Sequence, residues 1–277
     1  IDNPTNAEIS IKLDETNYTI PAVSTIDLDL PIGKHQLTYN GQSVNFVSKY
    51  CDQGMILNPT LSTYIYYGEL FIEDGVNYEE EWNMLAKDIL TDYQLSDSTI
   101  VQLPFQITND LFIEQYKYYW QYDINTPFPK GVSIQEGTGF SKSIMMKKMF
   151  RKDEFVSYLK AEEIELPTDL NFEGNSPKTL GELEPFQIVH LSITYPCDET
   201  NKMLKSVAQQ FDSLSVIPAE DLQYFFMRLR NNPDLDYSNA KKCDETNTPN
   251  EEKFMKIAIA TAKTISNLGA HNAFVIK

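Results

Sequence analysis

Hydrophobic and polar residues alternate along the first 48 residues with the two-residue period of half-buried β-strands. In "AEISIKLD", Ile, Ile and Leu alternate with polar residues, and "STIDLDL" repeats the pattern. Turn-forming residues separate these runs, and Asn40-Gly41 is a strong signal for a tight hairpin. The spacing predicts about five short antiparallel strands that pack as a small β-sandwich.

The same segment contains "NPT" before a strand, "YTIPA", "ST" before the next strand and "PIGKHQLTYNG". In this layout it resembles the small all-β domains of exported bacterial surface proteins, including the PEGA-type repeat. The four-letter PEGA signature is absent, and the resemblance covers residues 1–48 of 277. It implies an accessory or spacer module that has no catalysis of its own.

The rest of the chain mixes strand-like and helix-like segments. Strand composition marks three of them, namely Ser62–Asp74, Ser98–Ile107 and Asn109–Asp123. Apolar residues at helical spacing mark Val76–Leu90, Ser141–Leu159, Lys202–Leu214, Ala219–Arg230 and Glu251–Leu268, and two further strands are predicted at 186–196 and 272–277. We therefore predict an α+β fold with a sandwich at 1–48, a mixed body at 49–165, and a strand with helices at 166–277. The last two could form one domain.

One predicted strand carries a run of aromatic residues. In "FIEQYKYYWQYD" a two-residue period would place four rings on one face, Tyr116, Tyr118, Trp120 and Tyr122. If exposed, this stripe would suit a sugar or a peptide, because flat rings offer a large contact area at little entropy cost. If buried, it is the face that a sheet packs on its core, and Tyr64 and Tyr66 in "TYIYYG" have the same two interpretations.

The charge balance excludes some classes of partner. The chain has 40 acidic and 23 basic residues and a formal net charge of −17, which argues against nucleic-acid binding. Only three residues are arginine, the side chain best suited to binding phosphate or carboxylate groups, so we do not expect an anion-binding role. No run of about 20 apolar residues occurs, so we expect membrane contact only through an N-terminal anchor. The chain begins at Ile1, which fits removal of a signal peptide or lipoprotein leader, or shortening of a cytosolic chain.

The pentapeptide CDETN occurs twice, beginning at Cys197 and at Cys243. Asp, Thr and Asn are preferred at helix N-caps, and a predicted helix follows each copy. The two cysteines could form a disulfide in an oxidising compartment, or remain unpaired. With Cys51 they show no paired spacing typical of zinc sites, so we predict no metal site.

No catalytic motif is present. A nucleophilic cysteine would need a base, and the three histidines, His35, His190 and His271, lie far apart in sequence. Residues 234–245 imitate the spacing of a calcium loop but have Asn239 where that loop requires glycine. Gly137 and Gly139 form half of a phosphate loop without its Gly-Lys-Ser/Thr ending. We therefore predict no catalytic residues and no cofactor.

Three functional hypotheses follow. The first is a non-enzymatic, exported or surface-anchored bacterial protein, located in the periplasm or at the cell surface, that binds a protein or a glycan. The second is an acidic inhibitor or immunity protein of a basic toxin, because complementary charge speeds encounter. The third is a hydrolase that uses two carboxylates at working distance. The oligomeric state is not indicated.

Overall fold

The computed structural model describes residues 1–49, 54–96, 98–131, 142–167, 170–174, 177–186, 201–202, 205–206, 208–210, 213, 217–230 and 271–276. The chain divides into two compact units. The first comprises Ile1–Ile9, Thr19–Ile26 and Gln53–Glu182, and the second comprises Ser10–Tyr18, Asp27–Asp52 and Leu183–Lys277. Antiparallel sheets and helices occur together, so the predicted general class, α+β, is confirmed.

The elements of the described residues are bounded as follows. The strands are β1 (Asp2–Asn3), β2 (Ile9–Leu13), β3 (Thr16–Ile20), β4 (Ser24–Thr25), β5 (Gly33–Tyr39), β6 (Gln42–Ser48), β7 (Met55–Leu57), β8 (Tyr64–Ile72), β9 (Thr91–Ser96), β10 (Thr99–Leu103), β11 (Phe105–Thr108), β12 (Phe112–Glu114), β13 (Ser143–Arg151) and β14 (Ala273–Ile276). The helices are α1 (Tyr78–Leu85), α2 (Gln115–Tyr118), α3 (Lys152–Ala161) and α4 (Ala219–Arg230), with a 3-10 turn at Leu180–Glu182.

The sheet of the second unit has five antiparallel strands in the order β14-β6-β5-β2-β3. The predicted alternation holds in β2, and the Asn40-Gly41 hairpin forms with φ of 49° and 73°. The layout differs in detail from the prediction, because β14 from the end of the chain pairs with β6. The predicted strand at Ser24–Leu30 is limited to β4, since its partner β1 has only two residues.

The first unit is built on a three-stranded antiparallel sheet with β8 between β11 and β13. Both faces of β8 are covered, which explains its nearly continuous hydrophobic sequence. The face carrying Tyr66 and Leu70 contacts α1 and α2 through a buried cluster that we call the first core. The opposite face, carrying Ile65 and Tyr67, packs on α3 through a second core. The predicted strand at Ser62–Asp74 is thereby confirmed.

The predicted helix at Ser141–Leu159 is wrong over its first half. Residues Ser143–Arg151 are strand β13, paired over nine residues with β8, and helix α3 begins only at Lys152. The helix-like spacing arises because the strand buries both faces. Met145 and Met149 lie in the first core, whereas Met146 and Phe150 lie in the second. Two sets of residues spaced four apart, one on each face, imitate the period of a helix.

Other predicted elements have mixed outcomes. The helix predicted at Val76–Leu90 is confirmed over Tyr78–Leu85, as α1, and its N-cap is Asn77, whose side chain accepts a hydrogen bond from the Glu79 N–H at 3.1 Å. Helix α4 and strand β14 are also confirmed. The predicted strand at Ser98–Ile107 is two strands, β10 and β11, divided at Pro104, which has no N–H for a ladder. In the part of the chain described, no helix has the length and apolar character needed to cross a membrane.

Candidate binding surface

The predicted aromatic strand at Asn109–Asp123 does not form as one strand. Strand β12 ends at Glu114 because its partner β7 has only three residues, and α2 follows as a single helical turn. The four predicted rings therefore do not share a face. Tyr116 is 50% exposed, Tyr118 and Trp120 lie in the first core, and Tyr122 is half-buried beside the second core.

The turn instead exposes a different pair of rings, Tyr116 and Tyr119, which we call the α2 pair. Their ring centroids are 5.5 Å apart with an interplanar angle of 52°, and Tyr119 is 52% exposed. The Tyr116 hydroxyl raises the pKa of Tyr119 through a hydrogen bond. These two residues are three apart, the spacing that places side chains on the same side of a helical turn. A helical interpretation of "QYKYYW" would have found Tyr119, whereas the two-residue period passes over it.

The backbone holds the α2 pair in place. Tyr119 has left-handed dihedral angles, φ 51° and ψ 40°, and its N–H donates to the Gln115 carbonyl at 2.6 Å. The Gln115 side-chain amide donates to the Trp120 carbonyl at 3.0 Å. The buried Tyr118 ring contacts Tyr66 of β8 at 5.3 Å between centroids. The exposed rings therefore rest on a turn that is anchored on both sides.

A second pair of rings lies on α1. Tyr78 and Trp82 are four residues apart on the helix, and their rings stack at 5.7 Å with an interplanar angle of 16°. Tyr78 is 49% exposed, while Trp82 is half-buried against the first core. Trp82 is a core position by its helical spacing, but Tyr78 is a surface residue that sequence reasoning missed. The signal was present, because aromatic residues four apart face each other on a helix.

Glu69 lies on the same face of β8 as Tyr67 and is held by tyrosines. Its Oε2 accepts hydrogen bonds from the Tyr158 hydroxyl at 2.5 Å and from the Tyr67 hydroxyl at 3.5 Å. Burial and then the Glu69 charge raise the pKa of Tyr67 and of Tyr78.

A third polar cluster is enclosed. Asp2 is fully buried and forms an ion pair with Arg151, whose Nη2 lies 2.6 Å from Asp2 Oδ1. Arg151 Nε adds a contact to Asp2 Oδ2 at 3.1 Å, and the Tyr64 hydroxyl donates to the same carboxylate. The interaction with Asp2 raises the pKa of Arg151 in spite of its burial. These groups satisfy one another away from solvent, so the cluster anchors β1 on the sheet of the first unit.

The remaining predicted residues do not add a site. His35 is mostly buried in β5, with Nδ1 2.8 Å from Asp14 Oδ2 and Nε2 2.9 Å from the Pro31 carbonyl, an arrangement that fixes a turn. Several features considered in the sequence lie outside the described residues: the candidate disulfide Cys197–Cys243, Cys51, His190, the calcium-like loop at 234–245, and the glycines at 137 and 139. Within the described ranges no three His, Cys, Asp or Glu side chains are arranged to hold a metal ion.

Comparisons with family models, with curated proteins and with solved structures find no match to this chain.

Proposed function

We propose that this chain is a non-enzymatic binding protein that contacts a protein or glycan partner through the α2 pair. The observation that carries the proposal is the exposure of two neighbouring tyrosine rings on an anchored turn. Exposed aromatic rings supply large contact area with few rotatable bonds. Because this turn is held by its own hydrogen bonds, it would lose little conformational entropy when a partner binds.

The backbone of Tyr119 supports the same proposal. A residue other than glycine in the left-handed region costs about 1–2 kcal/mol, and such strain concentrates at binding sites. Glycine at this position would remove the strain, but it would also remove one of the two exposed rings. The presence of tyrosine here is explained if the ring has a role outside the fold.

The acidic-inhibitor hypothesis has one supporting observation in the structure. The first turn of helix α1 carries Glu79, Glu80 and Glu81, and the whole chain carries a net charge of −17. A basic partner would be attracted by this charge, and its association rate would fall steeply as salt is added. Binding that depends on salt and not on the α2 pair would favour the inhibitor hypothesis over the first proposal.

In the part of the chain that the structure describes, the hydrolase hypothesis receives no such support. The buried carboxylate of Asp2 is paired with Arg151, and the Glu69 carboxylate accepts hydrogen bonds from two tyrosine hydroxyls.

The strand pattern at 1–48 supports two further parts of our proposal. We propose that the protein is located outside the cytoplasm and that its N-terminal strands have an accessory role. Fractionation of the native source, with thiol alkylation before and after reduction, tests both that location and the Cys197–Cys243 disulfide.

The direct test compares three proteins on arrays of purified glycans and of purified extracellular proteins. The first is the unaltered chain, and the second is the double variant Tyr116→Ser, Tyr119→Ser. The third is Tyr224→Ser, which removes a tyrosine that is 62% exposed on α4 of the second unit. We expect the double variant to lose at least about tenfold in affinity, because each exposed ring that becomes buried contributes on the order of 1 kcal/mol or more.

Tyr224→Ser should bind as the unaltered chain does, and thermal unfolding should show that both altered proteins remain folded. Equal affinity of the double variant and the unaltered chain would contradict the proposal. So would the absence of any ligand on both arrays.

A further inference from the structure

We propose that His35 is a proton-controlled latch in the second unit, which holds the turn after β2 and the loop before β5 together while its imidazole carries two protons. The proposal goes beyond the binding function, because none of its residues belongs to the α2 pair. It rests on two oxygen atoms that lie one at each nitrogen of a buried ring, Oδ2 of Asp14 and the carbonyl oxygen of Pro31.

His35 faces a hydrogen-bond acceptor at both of its ring nitrogens. Nδ1 lies 2.8 Å from Asp14 Oδ2, and Nε2 lies 2.9 Å from the Pro31 carbonyl oxygen. A carboxylate and a carbonyl accept hydrogen bonds but cannot donate them, whereas a neutral imidazole has a single N–H to donate. Both contacts are therefore hydrogen bonds only in the doubly protonated, positively charged form of His35. In the neutral form, the lone pair of one nitrogen faces an oxygen atom.

The ring and its carboxylate partner are both fixed in position. His35 is 8% exposed, and its ring contacts that of Phe46 on the neighbouring strand β6, with 5.3 Å between centroids. Asp14 Oδ1 accepts a hydrogen bond from the Gln36 N–H at 2.8 Å, and the Asp14 N–H donates to the Gln36 carbonyl at 2.8 Å. Loss of one proton therefore replaces one of the two hydrogen bonds of His35 by a repulsive contact.

The charged groups around the ring favour its protonated form. Among the described residues, Asp14 is the one charged side chain in contact with His35, and strand β6 carries no charged residue. Lys12 of β2 and Lys34 of β5 lie on the opposite face of the sheet, and Lys12 pairs with Glu15 at 3.2 Å. The charged side chains described in the loop before β5 and in α4, which packs on β5, are exposed: Asp27, Asp29, Glu220, Asp221 and Arg228. The carboxylate of Asp14 is therefore the charge that acts most directly on the ring.

The latch responds to pH in the range in which histidine ordinarily changes its charge, between pH 5 and pH 8. The protonated ring makes two hydrogen bonds in the folded protein, and the neutral ring makes one. Because the second hydrogen bond needs the second proton, the latch stabilises the second unit at the acidic end of this range, and this contribution is lost as pH rises. We expect the turn after β2 and the loop before β5 to loosen over the same range.

The test compares the full chain with Asp14→Asn, which keeps the shape of the side chain. An asparagine amide both accepts and donates, so it can accept from the Gln36 N–H and donate to a neutral His35 nitrogen. Asparagine also tolerates the left-handed φ of 53° at this position. Unfolding by urea is followed by circular dichroism at pH 5 and at pH 8. Between these pH values, the unfolding equilibrium constant of the unaltered chain should rise about tenfold more than that of Asp14→Asn, because one hydrogen bond to a charged group is lost.

The matched control is Asp29→Asn, which removes the same charge from an exposed residue of the loop before β5 and should keep the pH dependence of the unaltered chain. Proton NMR of the unaltered chain is a second measurement that needs no variant. A buried, hydrogen-bonded ring N–H exchanges slowly enough to be observed, so His35 should give two ring N–H signals at pH 5 and one at pH 8. Equal pH dependence of Asp14→Asn and the unaltered chain, loss of that dependence in Asp29→Asn, fewer than two signals at pH 5, or two signals at pH 8 would overturn the proposal.

Discussion

Replacing Asp2 by asparagine removes one charge of the buried pair with Arg151 and little else. Asparagine has an NH2 group in place of one carboxylate oxygen of aspartate, so the volume of the side chain is nearly unchanged. Asp2 is fully buried and the Arg151 side chain is 8% exposed, with two guanidinium nitrogens in contact with the carboxylate. After the substitution, Arg151 remains buried without the Asp2 carboxylate, and among the described residues the neutral Asn125 amide oxygen, 3.1 Å from Nη2, is its further acceptor.

The expected loss is large. Breaking a buried ion pair by removing one partner costs about 3–5 kcal/mol, since the remaining charge is left uncompensated. The free energy of unfolding of a whole domain is about 5–15 kcal/mol. We therefore expect Asp2→Asn to remove a major part of the stability of the first unit, and to lower its urea midpoint without changing the slope of the transition.

Tryptophan fluorescence is a suitable assay because both tryptophans, Trp82 and Trp120, lie in the first unit. A double-mutant cycle adds Arg151→Met and the double variant. The double variant should lose less stability than the sum of the two single variants, because it leaves neither charge unpaired. The surface pair Lys130–Glu162, where Lys130 is 86% exposed, supplies the control, and Lys130→Met should leave the midpoint nearly unchanged. An Asp2→Asn variant as stable as this control, or strictly additive losses in the cycle, would refute the assignment of the pair as an anchor of β1.

Three further predictions concern the first unit. Gly68→Ala should destabilise it by about 1–3 kcal/mol, because a Cβ there would lie 2.5 Å from Ile89 Cδ1, and in thermal unfolding the losses of Gly68→Ala and Ile89→Ala should add to less than their sum in the double variant. Burial raises the pKa of Tyr67 and Tyr158 above the usual 10.0. Their contribution to the free energy of unfolding should therefore be complete below about pH 10 and should fall as pH rises above it. Urea midpoints that rise between pH 10 and 11 would contradict this expected direction. Tyr119→Gly should leave stability unchanged or raise it by up to about 1 kcal/mol, while array binding is lost; an unchanged affinity would show that the left-handed backbone there has no connection with binding.

Parts of this fold were predictable from local pattern alone. The alternation in β2 and the Asn40-Gly41 turn gave correct elements, because one face of each strand is buried and the turn needs left-handed dihedral angles. Apolar residues at helical spacing within Val76–Leu90 indicated α1 for an equally local reason, since one side of the helix packs on the first core.

The errors come from long-range pairing. Strand β13 buries residues on both faces, so its hydrophobic period does not distinguish strand from helix, and only its pairing with β8 decides. The segment after β12 has strand composition, yet it turns at Gln115 because β7 offers no further partner. The recruitment of β14 into the sheet of β5 and β6 has no local signal at all, since its partner is more than two hundred residues away. The candidate site was affected in the same way, because an incorrect period grouped Trp120 with Tyr116 on one face and left Tyr119 unnoticed.

The position of the two aromatic pairs makes binding separable from folding. Each pair stands on a short helical segment whose other side is anchored in the first core, through Trp82 for α1 and through Tyr118 and Trp120 for the turn at α2. Substitutions at the half-exposed rings of Tyr78 and Tyr119 leave that core intact, whereas Trp120→Ala would open a cavity in it and cost about 3–5 kcal/mol. A variant that loses binding and keeps its urea midpoint therefore identifies a contact with the partner. A variant that loses both reports only on the core, and for this reason Tyr118 and Trp120, although predicted as site residues, are the wrong positions at which to test function.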